Sequence, residues 1–152
     1  MYNSNKININ QDNKTNNVHL NNAPWFERQS MSDNVNLTSQ YVTLCKRHHQ
    51  QKKWVLFINP DESSIEALAS IHKIDTSQVL MVNFNKSYKN IDMQLAVKKN
   101  IASIKSTLSK GNCSAVILSG TNFDEDEICE LAFSAQQGQT KCVILEKHHS
   151  LH

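Results

Sequence analysis

Four apolar stretches without polar alternation punctuate this chain: Trp54 to Ile58, Gln78 to Phe84 (chiefly Val79-Leu80-Met81-Val82), Cys113 to Leu118, and Lys141 to Leu145. A strand with one wet face alternates apolar and polar residues. Stretches apolar on both faces suit a parallel sheet covered by helices on both sides. The intervening segments carry the complementary period. Leu37, Tyr41, Leu44, Cys45 and His48 recur at helical spacing and predict a helix over about 37 to 50, with a basic run (Lys46, Arg47, Lys52, Lys53) at its end. Asn59 can cap the next helix, with Pro60 at its first position and Glu62 closing a capping box; Ser63 with Glu66 offers a second start one turn later. A long helix from about Asn90 to Ser109 presents the stripe Val97, Ile101, Ile104 and Leu108 and is stopped by Gly111. Asn122 with Glu125 opens a further helix carrying Ile128, Leu131, Ala132 and Ala135, ended by Gly138. Strands alternating with helices predict right-handed βαβ units: an α/β fold with a mainly parallel central sheet of about four strands flanked by helices.

The first 36 residues are of another kind. Nine of the first 22 are asparagine, with few apolar residues and no sustained period. Such a segment cannot bury enough surface to offset its ordering entropy. Residues 1–36 therefore read as a disordered tail, 37–147 as the folded domain and 148–152 as a flexible end. Pro24-Trp25-Phe26 is a small apolar knot within the tail, read as a loosely packed anchor rather than a docking motif. The 152 residues carry 16 basic and 14 acidic side chains, net +2. That balance is unlike a protein built for the phosphate backbone, so no nucleic acid is expected as a partner. No apolar run approaches the roughly 20 residues that span a bilayer. Met1 to Asn10 lack the basic region and apolar core of a signal peptide. The expectation is a cytoplasmic protein without a membrane partner.

Glycine is the most restrictive count. Gly111, Gly120 and Gly138 are the only three, too widely spaced for a dinucleotide fingerprint or a Walker A loop. Both loops need close-set glycines so that backbone amides can approach phosphate oxygens. The third apolar strand ends Leu118-Ser119-Gly120, where a Walker B site would want a carboxylate. Asp124-Glu125-Asp126-Glu127 could hold Mg²⁺, but four acids at a helix start also complement its dipole, and that is the reading taken. Cys45, Cys113, Cys129 and Cys142 include no short-spaced pair for zinc or redox chemistry and read as small buried hydrophobes. His148 and His152 could share a helical face, but read as a solvated tail. No catalytic residues, metal or cofactor are expected, and no G-x-S-x-G elbow occurs.

The helix after Pro60 carries two apolar lines, Ala67-Ile71-Ile74 and Ile65-Leu68-Ala69. One suffices to cover a sheet. The other is either covered by the 37–50 helix or left as an exposed strip beside Lys53, and exposed strips mark partner sites.

Taken together, these segments resemble the SulA family, the SOS-induced inhibitors of bacterial cell division. The matching stretches are "KKWVLFINP", "TSQVLMV" and "GNCSAVILSGTNFDEDEICELAFSAQQGQTKCVILE", over about residues 37 to 147, together with the Met-Tyr start and terminal His152. The resemblance implies a RecA-like α/β core without its nucleotide loop, used as a binding surface. It implies a non-enzymatic protein that binds the division GTPase FtsZ, blocks its polymerisation and GTP hydrolysis, and can form a homodimer. By position, the family's partner contacts fall on Lys53, Ile58, Leu68 and Gln78, with Leu68 where the family can have Trp and Gln78 where it has Lys. Leu151 and His152 fall where the family is recognised by the Lon protease. The alternative function is a RecA-like accessory module for DNA repair or translesion synthesis.

Overall fold

The computed structural model describes residues 24–84, 100–120 and 122–147. Among these residues five strands, β1 (Phe26–Ser30), β2 (Trp54–Ile58), β3 (Val79–Val82), β4 (Cys113–Ser119) and β5 (Lys141–Glu146), alternate with four helices. The helices are α1 (Leu37–His48), α2 (Glu62–Ser70), α3 (Ile101–Lys110) and α4 (Glu125–Gly138). The strands form one sheet in the order β1-β5-β4-β2-β3, and every neighbouring pair is parallel.

The absence of alternation in the strands has a direct structural cause. Successive side chains point to opposite faces, and here each face has its own apolar core. Val55 and Phe57, Ala115 and Ile117, and Val143 and Leu145 face α1 and α2, meeting Tyr41, Leu44 and Leu68. Leu56 and Ile58, Val116 and Leu118, and Cys142 and Ile144 face α3 and α4, meeting Ile104, Leu108, Ile128 and Leu131. The ring of Tyr41 packs on Phe57 at a centroid distance of 4.8 Å, within the range of favourable aromatic pairs.

The parallel α/β sheet agrees with the sequence reading, with a fifth strand added. Part of the segment read as tail is β1. Phe26 is buried in the core, Trp25 packs against it, and Trp25 O accepts a hydrogen bond from Cys142 N at 2.8 Å. As an edge strand with one partner, β1 needs little apolar sequence. Phe26 supplies the inward residue, while Glu27 and Arg28 protect the open edge with charge. Residues 1–23 and 148–152, and the stretch with Asn90 and Val97, lie outside the described residues; Ile101, Ile104 and Leu108 pack as expected.

Both predicted caps move by two residues. α2 is capped by Asp61, whose Oδ2 accepts from Ser64 N at 3.0 Å. Asn59 cannot do this, because its Oδ1 already accepts from Phe84 N at 2.9 Å, tying the end of β3 to the end of β2. α4 is opened by Asp124 and Glu127, which form a reciprocal capping box with bonds of 2.8 and 2.9 Å.

The C-terminal ends of α3 and α4 approach as closely as backbone permits. A Cβ on Gly138 would lie 1.8 Å from Leu108 O, and one on Gly111 would lie 2.8 Å from Gly138 O. Gly111 also adopts the left-handed conformation that ends α3. Thr140 Oγ1 donates to the same Leu108 O at 2.9 Å. Gly138→Ala should therefore force the helices apart and lower stability by about 2–3 kcal/mol, measured by urea unfolding. Unchanged stability would show that the contact relaxes freely.

Candidate partner-binding surface

Parallel connections send every helix back against the strands. Helix starts gather at the strand carboxyl ends, and helix ends gather at the strand starts. The charges follow. Asp61 and Glu62 stand at the start of α2 and Asp124 to Glu127 at that of α4. Lys46 and Arg47 lie in the last turn of α1 and Lys110 in that of α3. Each placement complements a helix dipole, and a net charge of +2 conceals the separation.

At the strand-start end, Arg47 and Lys141 both reach Glu27 at 3.4 Å. Burial works to raise the Glu27 pKa, but a hydrogen bond from Gln29 and these two cations outweigh it and hold the value below its ordinary range. Lys46, Lys52 and Lys53 form no ion pair among the described residues. Unneutralised positive charge thus concentrates beside the start of β2.

Two of the expected contact residues meet here. Gln78 Nε2 donates to Lys53 O at 3.0 Å and to Gln50 O at 3.3 Å. Gln78 O in turn accepts from Val55 N at 2.8 Å. The next residue, Trp54, is 39% exposed. Beside them opens a groove of ≈ 320 Å³ lined on its apolar side by Cys45, Val55, Ile74 and Val79, with Lys46, His49 and Asp75 as its charged and titratable lining. Burial pushes the Cys45 thiol up to about 11, so it stays protonated and unreactive at neutral pH. Burial, then the charges of Arg47 and Lys141, lower the pKa of neighbouring His48.

The other two expected contacts are not available. Leu68 is 0% exposed and Ile58 is 3% exposed, in the two cores on opposite faces of the sheet. Neither side chain can reach a partner in this fold. The two apolar lines of α2 also divide differently from the sequence reading. The helix ends at Ser70, Leu68 and partly buried Ile65 and Ile74 pack against the α1 side of the sheet, and Ile71 is exposed. Large exposed apolar side chains are spread over Val35, Trp54, Ile71 and Phe133 and over Leu80, Met81 and Val82 of β3, which pairs only with β2 among the described strands. The unbroken run Val79–Val82 signals a strand, but not that it lies at an edge. Leu151 and His152 lie outside the described residues.

The junction of β2 and α2, where a phosphate-binding loop would sit, is filled by the chain itself. Asp61 Oδ2 receives Ser63 Oγ, Ser64 Oγ and Ser64 N at 2.6, 2.8 and 3.0 Å. These bonds hold the carboxyl below its ordinary pKa. A carboxylate already occupies the anion position at the helix start. Among the described residues no group of three or more His, Cys, Asp or Glu side chains could hold a metal ion. No described helix is long and apolar enough to cross a membrane.

Comparison with solved structures finds the crystal structure of SulA from Pseudomonas aeruginosa. The TM-score is 0.63 at 15% identity, covering 82% of this chain and 99% of that one. The chain has a SulA-like fold. No family model matches its sequence, and no curated protein matches it either. At 15% identity the likeness is one of fold.

Burial also sorts the expected contact residues by experiment. Leu68→Asp would place an unpaired carboxylate in the core, at a cost above about 4 kcal/mol. Loss of the cooperative unfolding transition is expected. A variant that folds normally would return Leu68 to the surface.

Proposed function

We propose that this protein is a cell-division inhibitor of the SulA kind: it binds FtsZ and blocks its polymerisation and GTPase activity in the response to DNA damage. The observation that carries the reading is the meeting of Lys53 and Gln78. These positions, 25 residues apart in sequence, are joined by one hydrogen bond at an open, basic end of the molecule. Exposed Trp54 beside them supplies an apolar anchor of the kind that dominates protein interfaces. The filled anion position at α2 supports a scaffold used for binding rather than nucleotide chemistry.

The contact set is accordingly Lys53, Trp54 and Gln78, with Ile58 and Leu68 acting from beneath as support for β2 and α2. Lys53 is a rim charge, which steers association and is screened by salt. Lys53→Glu should weaken inhibition of FtsZ GTPase activity about three- to tenfold at low salt, with a smaller effect at high salt. Full inhibition at every ionic strength would remove Lys53 from the interface. Inhibition absent from the wild-type protein as well would overturn the function itself.

A transient inhibitor must also be cleared, and Lon is the protease proposed to do it through Leu151 and His152. In a pulse-chase, His152→Asp should extend the half-life severalfold in cells with Lon and leave it unchanged in cells without it. Equal half-lives in cells with Lon would rule out recognition through this end.

A further inference from the structure

The groove between the end of α1 and the loop before β3 has a floor of Cys45 and Val55, both buried, and walls of half-buried Ile74 and Val79. At ≈ 320 Å³ it stands at the small end of pockets that take a ligand, and suits a side chain rather than a cofactor. Its apolar lining favours an aliphatic group. Gln78 lines it as well, so the groove is continuous with the Lys53–Gln78 contact.

The groove is held open by the chain's own bonds. Ile74 N donates to Leu68 O at 2.9 Å and Val79 N to Thr76 O at 3.0 Å, which fix both walls. Lys53 N donates to Gln50 O at 3.2 Å, and Gln78 Nε2 donates to that same oxygen and to Lys53 O, which fixes the rim. Walls set in advance reduce the ordering entropy that docking costs. The charge around the groove is unequal. Asp75 is the only acid of the lining, and its Oδ1 already accepts from Ser77 N at 3.0 Å. Lys46 lines the groove beside His49, and Lys52 and Lys53 lie in the turn that Gln78 binds. None of these three lysines has an ion pair among the described residues.

We propose that this groove takes an aliphatic side chain of the partner, presented on a segment with carboxylates on either side of it. The inference rests on the proposed function, because the groove extends the same surface. Apolar burial in the groove supplies affinity, and the lysines around it select an acidic segment. A basic segment carrying the same aliphatic residue would set like charges against the three lysines. Ile71 and Phe133, 70% and 62% exposed, stand outside the groove and take no part in it.

The test measures binding of purified FtsZ to the full-length chain at about 0.05 M and about 0.5 M salt, with sedimentation of each variant alone. Ile74→Trp fills the groove and should weaken binding about tenfold at both salt concentrations. Lys46→Glu, exposed in the last turn of α1, should weaken it about three- to tenfold at low salt and less at high salt. It carries the test if Ile74→Trp fails to fold. Ile71→Ala and Phe133→Ala should bind as the wild type does. A folded Ile74→Trp chain with wild-type affinity, or an unchanged Lys46→Glu chain, would overturn the subsite and leave the proposed function standing. So would an equal loss in Ile71→Ala or Phe133→Ala. A wild-type dimer that Ile74→Trp converts to monomer would assign the groove to a second copy and overturn the proposal too. A wild-type chain that binds no FtsZ would overturn the function and the subsite together.

Discussion

Parallel alignment of all five strands is the constraint on which the other features rest. Because neighbouring strands run the same way, each connection must cross back over the sheet, and each helix runs against it. Three consequences follow at once. Both faces of the sheet are covered, so the strands can be apolar throughout. The helix dipoles align, so acids collect at one end and bases at the other. The change of crossover face between β2 and β4 opens a crevice at the acidic end. A chain with nearly balanced charge becomes a molecule with two chemically distinct ends.

The same constraint explains how a scaffold of this type works without a phosphate loop. The start of α2 remains an anion site by geometry, since its first amides point out of the helix. The sequence meets that demand internally, with Asp61 and the two serines after it. What replaces the glycines is therefore a self-contained cap, stiffened by Pro60 before it and by the bond from Asn59 to Phe84. Rigidity at this junction holds β2 in place, and β2 has Trp54 at its other end, directly after Lys53.

Much of the fold was legible because burial on both faces leaves a strong local signal. β2, β4 and β5 were found within a residue or two, and so was the end of α4. β1 was not, since an edge strand with a single inward residue resembles the polar tail around it. The caps shifted because Asn59 and Asp61 are both good cap residues, and only the position of Phe84 decides which is free. Of the expected contact residues, the structure brings two together and buries two. Lys53 and Gln78 belong to a turn and a strand start, where both are half-buried and meet through one hydrogen bond. Ile58 and Leu68 depend on which helices cover β2 and α2, and that is set by the packing of α3 and α4 on one face and of α1 on the other, which no local period reveals.

The two edges of the sheet show how differently one problem can be met. β1 carries its protection in charge. Arg28 grips Glu146 through two bonds of 3.1 and 2.6 Å, and Glu27 is held between Arg47 and Lys141. Its side chains are committed to the molecule and present little for another strand to join. β3 has no charged residue; it is limited instead by length, with four residues and an irregular loop over 73–78 ahead of it. A strand so short offers few free backbone groups, which restrains edge-to-edge association even though Leu80 and Met81 are exposed. Apolar surface is then kept on this edge, on the strand that pairs with β2, whereas the same residues on β1 would remove the charged side chains that close that edge.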